Sequence, residues 1–302
     1  MNPAPQISFE ISPPKSEKGE SALWQVLDRL APLDPGYVSV TYGAGGTSRD
    51  TSERIVRGLL EGGDLVPAAH LTCVAASRDE TDRLARQWWA MGVRRIVALR
   101  GDMPGMEGPY RPHGDGYLNA ADLVGGLKRT ADFHIAVAAY PEKHPDSPTV
   151  EADIDNLKRK FDNGADVAIT QFFFDPDCFL RFRDRVADAG ISAPIVPGVL
   201  PISNFARARD FAGRCGASVP DWLEERFAGL DEDPPVRDMV ATATAAEFCT
   251  TLIDERVDTF HIYTLNRAPL SVALCRALGA RERDAAGGTA NDAVRVAGGG
   301  AA

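Results

Sequence analysis

The sequence predicts an α/β fold, a (β/α)8 barrel with extra helices between its seventh and eighth strands. Three observations predict it. Apolar strand-like runs recur eight times, at 7–11, 37–42, 68–74, 95–99, 134–139, 167–172, 194–198 and 258–263. Stretches with apolar residues at helical spacing lie between them, among them 18–31, 48–62, 78–92 and 120–131. The length of 302 residues, 44% of them hydrophobic, suits a barrel of about 250 residues plus tails. An open doubly wound sheet is the structural rival. Its glycine fingerprint fails here: Gly43-Ala44-Gly45-Gly46-Thr47-Ser48 puts Ser where the last Gly belongs and lacks the Lys of a P-loop.

Strand 1 places Ser8, Glu10 and Ser12 on one face and Phe9 and Ile11 on the other. Strand 2 ends in Thr41-Tyr42 and the glycines, which make a turn or admit a flat or anionic ligand close to the backbone. Strand 3 carries His70, and strand 4 runs into Arg100-Gly101-Asp102. That tripeptide resembles a cell-adhesion signal, a reading its place after an apolar strand disfavours. Strand 5 breaks at Tyr140 into a Pro-rich loop containing His144. A helix follows, N-capped by Thr149 and ended by Gly164, then strand 6 with Gln171, which makes one parallel βαβ unit. On that helix Ile154, Leu157 and Phe161 form an apolar stripe. Asp153, Asn156 and Lys160 form a polar stripe beside it, either a solvated face or a ligand clamp. Three helices are expected after strand 7, at 202–215, 220–229 and 236–255, and strand 8 ends Tyr263-Thr264-Leu265-Asn266-Arg267. Residues 1–280 are read as one catalytic domain. The Ala/Gly-rich 281–302 is read as a disordered tail.

Composition narrows the function. A net charge of −10 argues against a nucleic-acid or anionic-membrane surface. Five cysteines without a C-x-x-C pair signal neither a zinc site nor a redox dithiol, and suit a reducing cytoplasm. No signal peptide or membrane-length apolar run is read. The five histidines lack metal-ligand spacing, no G-x-S-x-G elbow occurs, and no strand carries the Lys of a Schiff-base aldolase. At the strand ends remain acids, amides, aromatics and an Arg. In a barrel these ends carry the chemistry. That set suits a planar cofactor and a substrate to be protonated. Taken singly, each member also has a plain reading: Glu10 paired with a helix Arg, Tyr42 and Tyr140 as core aromatics, His70 as a satisfied core histidine.

As an ordered set the motifs resemble one family. Phe9-Glu10 with Pro13-Pro14, Thr41-Tyr42-Gly43-Ala44-Gly45-Gly46, Arg100-Gly101-Asp102, Ala139-Tyr140-Pro141-Glu142 with His144-Pro145, Asn156-Leu157-Lys158 with Lys160, Thr170-Gln171-Phe172-Phe173-Phe174, Pro197-Gly198 with Leu200-Pro201, and Tyr263 to Arg267 resemble methylenetetrahydrofolate reductases of the short, bacterial type. The likeness spans about residues 7–280. It implies a flavoprotein passing a hydride from NADH or NADPH to FAD, then to 5,10-methylenetetrahydrofolate, giving 5-methyltetrahydrofolate for methionine synthesis. A homo-oligomer in the cytoplasm is expected.

By position, the resemblance implies flavin contacts from Tyr42, Ala44, His70, Arg100, Gly101, Asp102, Ala120, Tyr140, His144, Asp153, Asn156, Arg159 and Lys160. Thr41 and Gln171 match positions near the nicotinamide. Glu10, Asp102, Gln171, Phe211, Tyr263 and Arg267 match the folate side. Glu10 is the candidate acid for N10 of the folate, its pKa expected to rise in an apolar barrel mouth. Asp102 would tune the flavin. Four positions depart from the family pattern: Ile11 and Ser12 replace two aromatics, Asn119 replaces a Tyr, and Arg207 stands where a Gln usually contacts folate. Arg207 and Phe211 are four apart on a helix and share a face, which makes Arg207 a folate-side candidate. The rivals are another FAD-binding barrel, such as a proline-dehydrogenase-like enzyme, and a non-catalytic folate- or flavin-binding protein.

Overall fold

The computed structural model describes residues 4–42, 49–103 and 110–281. The glycine turn with Ala44 and the tail from 282 lie outside them. The strands are β1 (Gln6–Ile11), β2 (Val38–Val40), β3 (Pro67–Thr72), β4 (Arg95–Leu99), β5 (His134–Ala139), β6 (Val167–Thr170), β7 (Ile195–Val196), β8 (Gly198–Val199) and β9 (Thr259–Tyr263). All pair in parallel, in the order β7-β6-β5-β4-β3-β2-β1-β9-β8. The expected eighth strand is therefore the ninth segment. Pro197, which has no N–H to donate, splits the expected seventh strand in two. The first half pairs with β6 through Ala168↔Ile195, the second with β9 through Gly198↔His261. The sheet thus curls into a nearly closed barrel whose seam runs along this broken strand.

Side chains stitch the seam. The Gly198 N–H donates to Thr170 Oγ1 at 2.9 Å, and the Tyr263 hydroxyl crosses the seam to donate to the Thr170 carbonyl at 2.7 Å. A Cβ on Gly198 would lie 2.3 Å from the Thr170 oxygen and 2.6 Å from the Tyr263 ring, so only glycine fits.

The helices around the sheet are α1 (Glu17–Leu30), α2 (Arg49–Gly62), α3 (Arg78–Met91), α4 (Ala120–Thr130), α5 (Val150–Asp162), α6 (Pro176–Asp188), α7 (Phe205–Cys215), α8 (Asp221–Phe227), α9 (Pro234–Asp254) and α10 (Ala268–Ala277). Short polar residues start most of them, as the loop chemistry requires. Ser77 makes a capping box with Glu80 ahead of α3, and Thr149 accepts from the Ala152 N–H ahead of α5. Asn119, the departure noted above, accepts from the Asp122 N–H and caps α4. The three helices expected after the seventh strand are α7, α8 and α9.

Strand alternation sorts the core. Phe9, Ile11, Val38, Val40, Ile96 and Ile135 point outward and pack under the helices as the main core. Ala68, Val97, Ala136 and Ile169 point inward and fill one side of the barrel. Several strands stop short of their apolar runs: β2 ends at Val40, β3 at Thr72 and β6 at Thr170. Backbone hydrogen bonds carry the pairing a residue or two further, from Thr41 to Ile11, Val74 to Arg100 and Gln171 to Ala139.

Candidate functional site

Glu10 stands inside the mouth, near the end of β1. Its carboxylate faces two imidazoles, with Oε2 3.4 Å from His70 Nε2 and 3.9 Å from His261 Nε2. The expected apolar surround and the helix Arg partner are both replaced by this polar one, and 22% of the Glu10 side chain remains exposed. The His70 contact has ion-pair length without hydrogen-bond geometry, which leaves buried His70 Nε2 without a hydrogen bond among the described residues. Burial lowers the His70 pKa, with nearby His261 adding to the effect and Glu10 opposing it. His70 is thus held toward neutrality.

The backbone around Glu10 is clasped by the turn after β9. The Glu10 carbonyl accepts from the Thr264 hydroxyl at 2.6 Å and from the Thr264 N–H at 3.2 Å. Two residues on, the Asn266 carboxamide accepts from the Ser12 N–H at 2.9 Å and donates to the Ser12 carbonyl at 2.7 Å. Asn266 therefore adds a rung past the end of the β1–β9 ladder. The turn needs Leu265 at φ 48° and Asn266 at φ 56°, left-handed values that Asn tolerates better than most residues. Ser12, the second departure, is the residue held. Ile11 is buried in the outer core.

A second group gathers over β4, β5 and α5. Arg100 donates to Asp146 Oδ2 at 2.8 Å, which ties the β4 loop to the β5 loop, and its guanidinium lies 4.7 Å from the Tyr110 ring centroid. Gly101 has φ +82°, and a Cβ there would come within 2.6 Å of Val74. Asp102 beside it is exposed. Tyr140 and His144 meet edge to face at 4.6 Å. Burial raises the Tyr140 pKa, with Asp102 the next cause. His144 Nδ1 accepts from the Asp146 N–H at 2.9 Å, which puts the ring proton on Nε2, a donor without a hydrogen bond among the described residues.

The polar stripe of α5 divides here. Asp153 is buried, taking a hydrogen bond from the His144 N–H at 2.6 Å and another from the Ser147 hydroxyl. It shapes the β5 loop from within. Lys160 is buried too, its Nζ donating to the Ala138 carbonyl at 2.7 Å. Burial pulls its pKa from 10.5 to about 8, against the pull of Asp153. Asn156 is half-buried and Arg159 exposed. Helical spacing correctly gave the shared face but not these two internal partners. Tyr42 is half-buried, with its pKa raised by burial. Thr41 joins β1 through its N–H to the Ile11 carbonyl at 3.0 Å, and Ala120 is the buried first residue of α4.

Next to this group, on the β6–α7 side, Gln171, Phe172, Phe211 and Tyr263 come together. Phe172 lies 5.1 Å from Phe211 and 6.3 Å from Tyr263. The Gln171 side-chain oxygen accepts from the Phe172 N–H at 3.0 Å. Burial first, and Glu10 second, hold the Tyr263 hydroxyl well above its ordinary pKa, so it serves as a neutral donor. Arg207 is exposed, one helical turn before Phe211. Arg214, which the sequence reading missed, sits 5.7 Å from the same ring; its i+3 spacing from Phe211 was the available signal. Arg267 is exposed at the start of α10. Also missed were Ser8, Ser39, His261, Thr264 and Asn266. The period-two pattern of Ser8 with Glu10, and of His261 with Tyr263, marks two of them as facing the barrel interior.

Residues 2–279 match the family described as Methylenetetrahydrofolate reductase. The 5,10-methylenetetrahydrofolate reductase of Salmonella typhimurium is 49% identical over 275 residues, 91% of each chain. That of Escherichia coli is 48% identical over the same share of each chain. Methylenetetrahydrofolate reductase (NADH) 1 of Arabidopsis thaliana is 32% identical over 90% of this chain and 48% of its own length. Among solved structures, a Clostridium thermocellum protein described as binding two copies of 5-methyl-5,6,7,8-tetrahydrofolic acid has a TM-score of 0.65 at 15% identity. It covers 91% of this chain and 94% of its own, a likeness of fold.

Proposed function

The chain belongs to the methylenetetrahydrofolate reductase family, and from that premise we propose that it reduces 5,10-methylenetetrahydrofolate to 5-methyltetrahydrofolate with FAD as its cofactor and NADH or NADPH as the electron source. The observation that carries the reading is the barrel mouth itself. A carboxylic acid flanked by two imidazoles stands at its floor. A cationic and aromatic rim lies on the β4–β5 side, and an aromatic rim on the β6–α7 side.

The residues present fit FAD. Gly101 lets the β4 loop pack tightly on Val74 and Thr72, which sets the place of Arg100 and Asp102. Tyr42 and Tyr140 supply ring surfaces, and the His144 Nε2–H and the cations Arg100, Arg159 and Lys160 suit a pyrophosphate. When bound, FAD supplies a two-electron carrier between nicotinamide and folate. Asp102 would bias that carrier, since a negative charge disfavours an anionic reduced ring. Thr41 and Gln171 would meet the nicotinamide. Phe211, backed by Phe172, would offer its ring to the flat part of the folate, with Tyr263 and Arg267 beside it.

The chain's own chemistry centres on Glu10. Opening the five-membered ring of the substrate requires a proton on N10 as the C–N10 bond breaks, leaving an iminium at N5 that accepts hydride. Glu10 delivers that proton. The product serves methionine synthesis, and we place the protein in the cytoplasm as a homo-oligomer. Free cysteines and exposed Trp222 and Met239 support those two readings.

The test is a visible spectrum of the purified protein before and after anaerobic NADH, with NADPH in parallel. Bound flavin that NADH bleaches and methylenetetrahydrofolate restores is the expected result. Protein that never retains flavin, even after soaking in FAD, overturns the cofactor assignment. Glu10→Gln should leave NADH-driven bleaching near normal and slow folate-driven reoxidation by about 10²-fold or more, the usual size of a lost general acid. Equal slowing of both halves would reassign Glu10 to structure.

A further inference from the structure

Apolar side chains usually fill a barrel of this kind, and on the β3–β6 side they do. The β9–β1–β2 side differs. Ser8, Ser39, His261 and His70 are all buried there, with exposures of 3, 0, 1 and 6%. Burying four polar side chains is costly unless they are paired, and three of the four are paired with one another. Ser8 Oγ lies 2.7 Å from His261 Nδ1, and Ser39 Oγ lies 3.5 Å from His261 Nε2. The same Nε2 faces Glu10 Oε2. On the other side of Ser8 is Tyr37; burial raises the pKa of its phenol, and an interaction with the Ser8 hydroxyl opposes that rise. Tyr37 precedes β2 at the N-terminal face of the barrel. It is only half-buried, stacks on His261 at 5.8 Å and lies under the Arg95 guanidinium at 5.5 Å.

We propose that Tyr37, Ser8 and His261 form a proton relay that reloads Glu10 from the N-terminal face of the barrel, opposite the substrate mouth. The proposal rests on Glu10 being the acid. Each turnover takes one proton from Glu10 onto N10, while hydride neutralises the iminium, so exactly that one proton must come from solvent. In the relay, His261 Nε2–H passes its proton to the Glu10 carboxylate. Ser8 Oγ–H passes one to His261 Nδ1, and Tyr37 and water restore Ser8. Tautomer exchange of the imidazole then resets the chain, with no charge left behind. Ser8 donating to Nδ1 leaves the proton on Nε2, the nitrogen that faces Glu10. The 3.9 Å between Nε2 and Oε2 closes by rotation of the partly exposed Glu10 side chain, as catalytic contacts commonly tighten once substrate is bound. A path from below would serve whenever ligands bound at the mouth shut water out of it.

The experiment is stopped-flow on the flavin-loaded protein, with each half-reaction measured in mixtures of light and heavy water. The variants are Ser8→Ala and Tyr37→Phe, with Glu10→Gln alongside. Both relay variants should slow folate-driven reoxidation by about tenfold, part of the ~10²-fold that loss of the acid costs. NADH-driven bleaching should keep its rate. The dependence of reoxidation on deuterium fraction should change from bowed, several protons moving together, to linear. A purely structural defect would not straighten that curve. Tyr37→Phe removes one oxygen at the far face, so it reports even where Ser8→Ala folds poorly. Wild-type reoxidation rate and curvature in Tyr37→Phe overturn the relay while leaving Glu10 as the acid. An unimpaired Glu10→Gln overturns both.

Discussion

At the scale of the residue, Arg207 is where this chain leaves the pattern of the family it resembles, and its placement makes a specific expectation. It is exposed on α7, and its backbone N–H is held by the Asn204 cap at 2.9 Å, so the helix start, and with it the side-chain root, is fixed. Four residues on, Phe211 faces Phe172 across the rim. A folate lying on Phe211 would bring its anionic tail past Arg207. The gain from an exposed cation is modest and screened by salt. Arg207→Gln is expected to raise KM for methylenetetrahydrofolate about twofold to fivefold at low salt, more for polyglutamylated forms, with KM for NADH unchanged. Steady-state kinetics at two ionic strengths checks this; an unchanged folate KM at both would leave Arg207 as a plain surface residue.

At the scale of the element, two turns decide whether the site keeps its shape. Asn266 makes two hydrogen bonds to Ser12 from a left-handed conformation. Asn266→Ala loses both and adds backbone strain, while Asn266→Gly loses the bonds alone. Alanine is expected to cost about 2 kcal/mol of stability and glycine less, read by thermal unfolding, and both should slow folate-driven reoxidation more than NADH-driven bleaching because Ser12, two residues past Glu10, loses its clasp. Glycine and alanine variants that match wild type in both respects would make the clasp dispensable. Gly198→Ala would push a methyl into the Thr170 carbonyl and the Tyr263 ring, and is expected to lower Tm by at least about 4 °C. These turns also show how far the sequence could be read. Period-two and helical spacing located the strands and helices, because burial of one face imposes those periods. Pro197 signalled a broken strand in plain view. What spacing could not convey was partnership: that Asp153 closes its own loop, that Lys160 spends its ammonium on Ala138, and that Glu10 meets two histidines brought in from β3 and β9. Those contacts join residues far apart in the chain, and only barrel closure brings them together.

At the scale of the whole molecule, the same closure buries an ammonium group in a chain of net charge −10. The Lys160 side chain lies under the β5 loop, and burial lowers its pKa to about 8 from 10.5. The sign of the consequence follows from linkage. Between pH 8 and 10.5 the unfolded chain holds the Lys160 proton more tightly than the folded one, so raising pH through that window favours folding. Below pH 8 the full cost of the buried charge applies, on the order of 3 kcal/mol. A buried charge with such a cost is commonly kept for function rather than stability. Lys160→Met fills similar volume without the charge, giving up one hydrogen bond to Ala138, about 1 kcal/mol. The flavin-free variant should therefore be at least as stable as wild type at pH 7. The advantage should shrink as pH rises from 8 toward 10, and retention of FAD should fall. Urea unfolding of both flavin-free proteins across pH 7–10, paired with equilibrium titration of FAD, measures the two effects separately. A variant less stable than wild type by a constant amount at every pH would mean that the hydrogen bond to Ala138, not the desolvated charge, governs this position. Unaltered FAD affinity would remove Lys160 from the flavin site.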